Sequence, residues 1–162
     1  MDFINLIEHW HRQGITTQPA TQAQIAAFEA RNAVKVPPDF REYLLTANGM
    51  GDDDRWQWDA GLFHFWPIEK LESLESFYGD AKANLSDLER HGVAPHNTFV
   101  FLDHSIHVLN YCIHFPQDQT SQTKTRVFLI LGESNAPQLH QIADSFEAFV
   151  GIYCSDPDQL LG

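Results

Sequence analysis

The chain has 162 residues, 43% of them apolar and 12% aromatic, with a formal net charge of −12 when its nine histidines are neutral. That length suits one domain with a real core, spanning residues 1–162, and no apolar run approaches the ~20 residues of a membrane-spanning helix. The acidic balance argues against DNA or RNA as a direct ligand, since phosphate contacts need clustered Lys and Arg, and a cationic partner is the complementary expectation.

Phe3, Leu6, Ile7 and Trp10 recur at helical spacing and Gly14 is a natural stop, so the chain is expected to open on an amphipathic helix. The same stretch has no basic leader region, carries Asp2 and Glu8, and shows no small-residue cleavage site, which reads as a cytoplasmic protein rather than a secreted one. Thr21 and Gln24 stand in capping-box relation ahead of Ile25 and Phe28, giving a second helix over residues 21–32. Val36, Pro37 and Pro38 impose extended backbone, and Pro38 then suits the first position of a third helix with Phe40, Tyr43 and Leu44 on one face. Asn48-Gly49 is expected to close that helix in a left-handed cap.

The segment NGMGDDDRWQWD, residues 48–59, follows. Asp52, Asp53 and Asp54 are consecutive, so they lack the alternate-position acids of a calcium-binding loop. In an extended segment Trp56 and Trp58 share one face, and Arg55, Gln57 and Asp59 share the other. From Asp52 to Asp80 eight acids face two bases, which is six of the twelve net negative charges. Trp56 and Trp58 suit either the packed face of a strand or, as large rings among acids, a surface that another protein recognises, whereas nothing about a core requires the aspartates.

LFHFW reads as a strand, and residues 68–92 as helix interrupted near Gly79, with Glu69, Glu72 and Glu75 as an acidic stripe opposite Leu71 and Leu74. TFVFLD, IHVLNYCIHF and TRVFLIL are the strongest strands. DSFEAFVGIYC closes the chain as a helix, with Asp144 and Glu147 in capping-box relation. Helices first, strands central and a helix last give an α+β fold with a mainly antiparallel sheet. The two cysteines, Cys112 and Cys154, are expected to be buried free thiols.

Two stretches resemble catalytic constellations. His104 and His107 with Asp103 offer three metal-ligand types, but residues three apart on a strand point to opposite faces unless Ser105-Ile106 forms a turn. Gly132-Glu133-Ser134-Asn135-Ala136 follows a strand as a nucleophile elbow does, yet Ala136 replaces its final glycine and Pro137 comes next. A strand-end loop is the plainer reading, and neither a catalytic residue nor a cofactor is expected.

Residues 25–49 carry an ordered pattern: Phe28-Glu29, Val36-Pro37, Phe40, Tyr43-Leu44-Leu45 and Asn48-Gly49. This resembles the SUKH superfamily of cell-wall assembly regulators and bacterial immunity proteins. The strand-to-proline run from Phe63 to Leu71 and the closing SFEAFV helix extend the resemblance over most of the chain. The run from Gly79 to His96 is longer than that pattern, and DDDRWQWD belongs to no motif of it. The resemblance implies a twisted sheet flanked by N-terminal helices and a C-terminal helix, no enzymatic activity, and a binding role. Its bacterial form is an immunity protein that binds and neutralises a cognate toxin, often a nuclease; its other form is a regulatory interaction protein without a toxin. For either, the expected contact residues are Asp52, Asp53, Asp54, Trp56, Trp58 and Asp59, with Glu72 and Glu75 beside them.

Overall fold

The computed structural model describes residues 3–51, 57–79 and 84–162. Three helices come first: α1 (Ile4–His11), α2 (Gln22–Asn32) and α3 (Pro38–Thr46). Thr21 and Gln24 form the expected capping box at α2, each side chain bonding the other's backbone N–H. Pro38 is the first residue of α3, where its missing N–H leaves no helical bond unmade. Between these helices the Phe28-Glu29 pair has a physical role. Phe28 enters the core, while Glu29 accepts from the N–H of Val36 at 3.0 Å and from Arg41 at 2.7 Å, fixing the extended Val36-Pro37 link.

Five further segments build one antiparallel sheet: β1 (Phe63–Phe65), β3 (Thr98–His104), β4 (Leu109–His114), β5 (Val127–Glu133) and β6 (Ala136–Ala143), in that spatial order, with β2 (Glu72–Ser73) also paired to β3. α4 (Leu74–Tyr78) and α5 (Ser86–Arg90) precede β3, and α6 (Phe146–Ser155) follows β6. The fold is α+β, as expected.

Residues directly opposite each other in the sheet share a face. Phe65, Leu102, Tyr111 and Leu129 form one such row, and Val100, Cys112 and Phe128 lie on the other face. On the first face the core is aromatic: Phe40 meets Phe146 with ring centroids 4.9 Å apart, Phe65 meets Tyr153 at 4.8 Å, and Trp10 meets Phe65 at 5.0 Å. These T-shaped contacts join α1, α3 and α6 to the sheet through ring edges set against ring faces.

Several local expectations are corrected. Residues 68–78 are not one helix. Pro67 starts a 3-10 turn, Ile68–Lys70, then Leu71 turns extended and Glu72-Ser73 pairs with β3, so Glu69, Glu72 and Glu75 fall on three different elements. Backbone hydrogen bonds to β3 outweigh the helical spacing of the leucines, and Leu71 and Leu74 are buried all the same. Asn48-Gly49 does not cap α3 either: Ala47 is already extended at φ −151°, and the left-handed Gly49 serves a different contact. The residue that caps α6 is Ser145, whose hydroxyl accepts from Ala148 N–H, rather than Asp144. Residues 136–143, to which the sequence pattern assigns no element, form the edge strand β6, where Pro137 is tolerated because one side of an edge strand has no partner.

His114, on β4, is buried beside Thr98. Burial, then the Arg126 guanidinium and His96, hold its pKa down from 6.5 to about 4. Between those values the unfolded chain binds more protons at this site than the folded one. Stability from this site is therefore full above pH 6.5 and falls as pH drops towards about 4. His114→Gln is expected to flatten the slope of the urea midpoint against pH across that window, and an unchanged slope would remove His114 as its source.

Candidate partner-binding face

The chain leaves α3 under close control. Asn48 N–H donates to Gln18 at 2.8 Å, and its side-chain oxygen accepts from Ile68 N–H at 2.7 Å. The carbonyl of Gly49 accepts from the Thr17 hydroxyl at 2.7 Å, and Met50 N–H donates to Phe65 at 2.9 Å. This path sets residues 48–51 against the end of β1 and the 3-10 turn.

Asp52, Asp53, Asp54, Arg55 and Trp56 lie outside the described residues. Their flanks are fastened. Gln57 bonds Thr16 twice, from Thr16 N–H at 3.1 Å and to Thr16 C=O at 3.0 Å, and donates to Met50 C=O at 2.5 Å, so one amide ties the far end of the segment to its near end. Its backbone carbonyl lies 2.6 Å from His64 Nδ1, which must be the donor because a carbonyl only accepts.

Asp59 is placed differently from the expectation. Residues 57–59 are not a strand, and Asp59 is buried: its carboxylate accepts from Phe63 N–H at 2.8 Å and from the Tyr153 hydroxyl, which in turn accepts from Trp10 Nε1 at 2.9 Å. Burial, followed by the Asp59 charge, raises the Tyr153 pKa well above the ordinary range. Asp59 is thus an internal anchor, and its carboxylate faces the core rather than a partner. Trp58 is exposed at 38%, with its ring 6.3 Å from that of His64. Glu72 is half-buried and accepts from the Ser76 hydroxyl at 3.0 Å, whereas Glu75 is exposed in the first turn of α4.

A cleft of about 770 Å³ opens between the loop after α1, residues 48–51 and the 3-10 turn. Thr16, Gln18, Asn48, Gln57 and Glu69 are among its walls. In the sequence Asn48 stands out as a helix stop and as part of the Phe28 to Gly49 pattern, and Glu69 as part of a stripe; nothing there singles out Gln57 as a tie, since its partners lie up to 41 residues away.

The histidine constellation resolves into structure. Ser105-Ile106 does form a turn, with φ of +52° and +55°, but Asp103 is fully buried and accepts from Trp66 Nε1 at 2.7 Å and His107 N–H at 3.3 Å. Among the described residues no three His, Cys, Asp or Glu side chains converge as metal ligands do. Ser134-Asn135 forms the turn of the β5–β6 hairpin. Cys112 is buried and Cys154 half-buried; both are free, and burial pushes the Cys154 thiol up to about 11.

The arrangement defines a class: a helix-flanked antiparallel sheet carrying a polar cleft whose walls include Gly51 and Gln57. The chain belongs to the SMI1/KNR4 family (SUKH-1), which matches residues 19–151. No curated protein matches the chain. The matched span contains the whole Phe28 to Gly49 pattern. Phe28, Phe40, Tyr43 and Leu44 are core, Pro37 precedes α3, and Glu29, Asn48 and Gly49 hold loops in place.

Proposed function

We propose that this protein is a non-enzymatic inhibitor acting inside the cell that makes it: an immunity protein that binds a cationic toxin domain, a nuclease, and occludes its phosphate-binding surface. The observation that carries the reading is the concentration of charge: residues 52–80 supply six of the twelve net negative charges, on a chain whose flanks at Met50 and Gln57 are tied together. A nuclease must present positive charge to hold a phosphate backbone. An acidic inhibitor is steered to that surface and competes there with nucleic acid. Exposed Trp58 supplies apolar area that desolvates on contact, which charge alone does not. Among the described residues no helix is long and apolar enough to cross a membrane, and family membership agrees with an immunity or regulatory role.

The test is binding to a basic nuclease toxin domain, taken from a toxin gene neighbouring the gene of this chain. Reversing Asp52, Asp53 and Asp54 to Lys moves the net charge from −12 to −6, since each reversal changes it by two. Association is expected to slow by roughly 10–100-fold at low salt, with a shallower salt dependence. A wild-type protein that forms no complex, or a triple variant with unchanged rate and salt slope, overturns the reading.

A further inference from the structure

We propose that the cleft beside Glu69 receives an arginine side chain of the partner, an inference that rests on the partner being cationic. Glu69 is exposed on the 3-10 turn, and its carboxylate is held in one orientation. It accepts from the Gln24 amide at 2.5 Å and from the Asn48 amide at 3.2 Å. Both amides are themselves fixed by backbone: Gln24 through its oxygen to Thr21 N–H at 2.7 Å, Asn48 through its oxygen to Ile68 N–H at 2.7 Å. The capping box of α2 and the Asn48 bridge therefore do more than end helices. They aim two NH₂ groups at one carboxylate, so little of its freedom remains to be lost on binding.

A carboxylate offers about four lone-pair positions, and the two amides leave part of that capacity open. Among the described residues no Lys or Arg forms an ion pair with Glu69. In the same cleft, the Thr16 carbonyl and the Gln57 side chain add fixed acceptor oxygen, and the exposed Pro19 offers apolar surface for an aliphatic stem. A guanidinium matches this set because its planar fork bonds a carboxylate at two points while its remaining N–H groups reach flanking oxygens; an ammonium has no such fork. Lys70 also lines the cleft and would suit an anion. Against that, Glu69 places a carboxylate in the same cleft and the chain as a whole carries a net charge of −12, both of which oppose anion entry.

The test uses the full chain and N-acetyl-arginine methylamide, with the citrulline analogue and inorganic phosphate as the other probes, followed by ¹H–¹⁵N spectra. Arginine is expected to shift the side-chain NH₂ resonances of Gln24, Asn48 and Gln57 at millimolar concentration, with citrulline about tenfold weaker because the charge-assisted bonds are lost. Glu69→Gln should weaken arginine binding by about tenfold and leave thermal unfolding unchanged; Glu69→Asp, which keeps the charge but shortens the reach, should fall between. Equal binding of arginine and citrulline, no effect of Glu69→Gln, or phosphate shifting these resonances where arginine does not, overturns the proposal. The toxin reading fails separately. If Glu69→Gln abolishes arginine binding while the triple Lys variant binds toxin unchanged, the cleft stands and the acidic-segment reading falls. If arginine leaves the spectrum unmoved while the triple variant loses toxin, the reverse holds.

Discussion

Asp39→Ala is expected to destabilise the protein by about 3–5 kcal/mol, lowering the melting temperature by roughly 10 °C in a chain of this size. Asp39 is 7% exposed and serves four donors: Phe40 N–H at 2.9 Å, Thr125 N–H at 2.9 Å, the Thr125 hydroxyl at 2.6 Å and Phe146 N–H at 3.2 Å. Phe40 lies in the first turn of α3 and Phe146 begins α6, so one carboxylate meets the positive ends of two helices and holds the chain entering β5. Alanine leaves those N–H groups buried without an acceptor, at about 1–3 kcal/mol each before the surroundings relax. Thr125→Val removes only a hydroxyl and should cost less. The double variant should fall short of the sum of the two, because both singles break the same contact. Urea denaturation of the four proteins measures this, and strict additivity would show that Asp39 acts elsewhere.

The elements most legible in the sequence were those whose determinants are local. Thr21 with Gln24, and Pro38 ahead of Phe40 and Tyr43, specify α2 and α3 within a turn or two, and both helices form where expected. β3, β4 and β5 were equally plain, since β-branched and aromatic runs suit strands, although β4 starts only at Leu109, after a turn that takes residues 106–108, and β5 is fully buried only through Leu129. Misreadings arose where a distant partner decides. Glu72 looks helical beside Leu71 and Leu74 until β3 offers its edge, and β6 alternates in burial over its first half but carries a proline at its second position that only an edge strand excuses.

Legibility of the site follows the same division. Charge is a property of composition, so the acid-rich stretch from Asp52 to Asp80 was visible at once. Orientation depends on long-range bonds. Asp59 looked like one more surface acid, yet its partner Tyr153 is 94 residues away. Asp39 drew no comment because an acid in the first turn of a helix is ordinary, and its partners Thr125 and Phe146 are 86 and 107 residues distant. The cleft acceptor Glu69 was seen, but as part of a stripe; the two amides that orient it lie 45 and 21 residues before it.

Gly49→Ala should cost about 2–5 kcal/mol and disturb the cleft as well as the fold. Two effects add. Gly49 sits at φ +65°, where a Cβ costs about 1–2 kcal/mol. That Cβ would also lie 2.6 Å from the carbonyl carbon of Trp66, 2.7 Å from the Phe65 oxygen and 2.7 Å from Pro67 N, all of them backbone atoms that cannot swing aside. Gly14→Ala separates the two effects, because Gly14 is also left-handed, at φ +76°, with nothing within 4 Å of the added atom. It should show the conformational cost alone. The difference between the variants in urea midpoint therefore measures the close approach of residues 48–51 to the end of β1. That approach sets Asn48 against Ile68 and Glu69, so Gly49→Ala should weaken arginine binding at the cleft while Gly14→Ala leaves it intact. Equal losses of stability in the two variants would mean that the loop shifts freely, and that the amides facing Glu69 are not held by the path of the chain behind them.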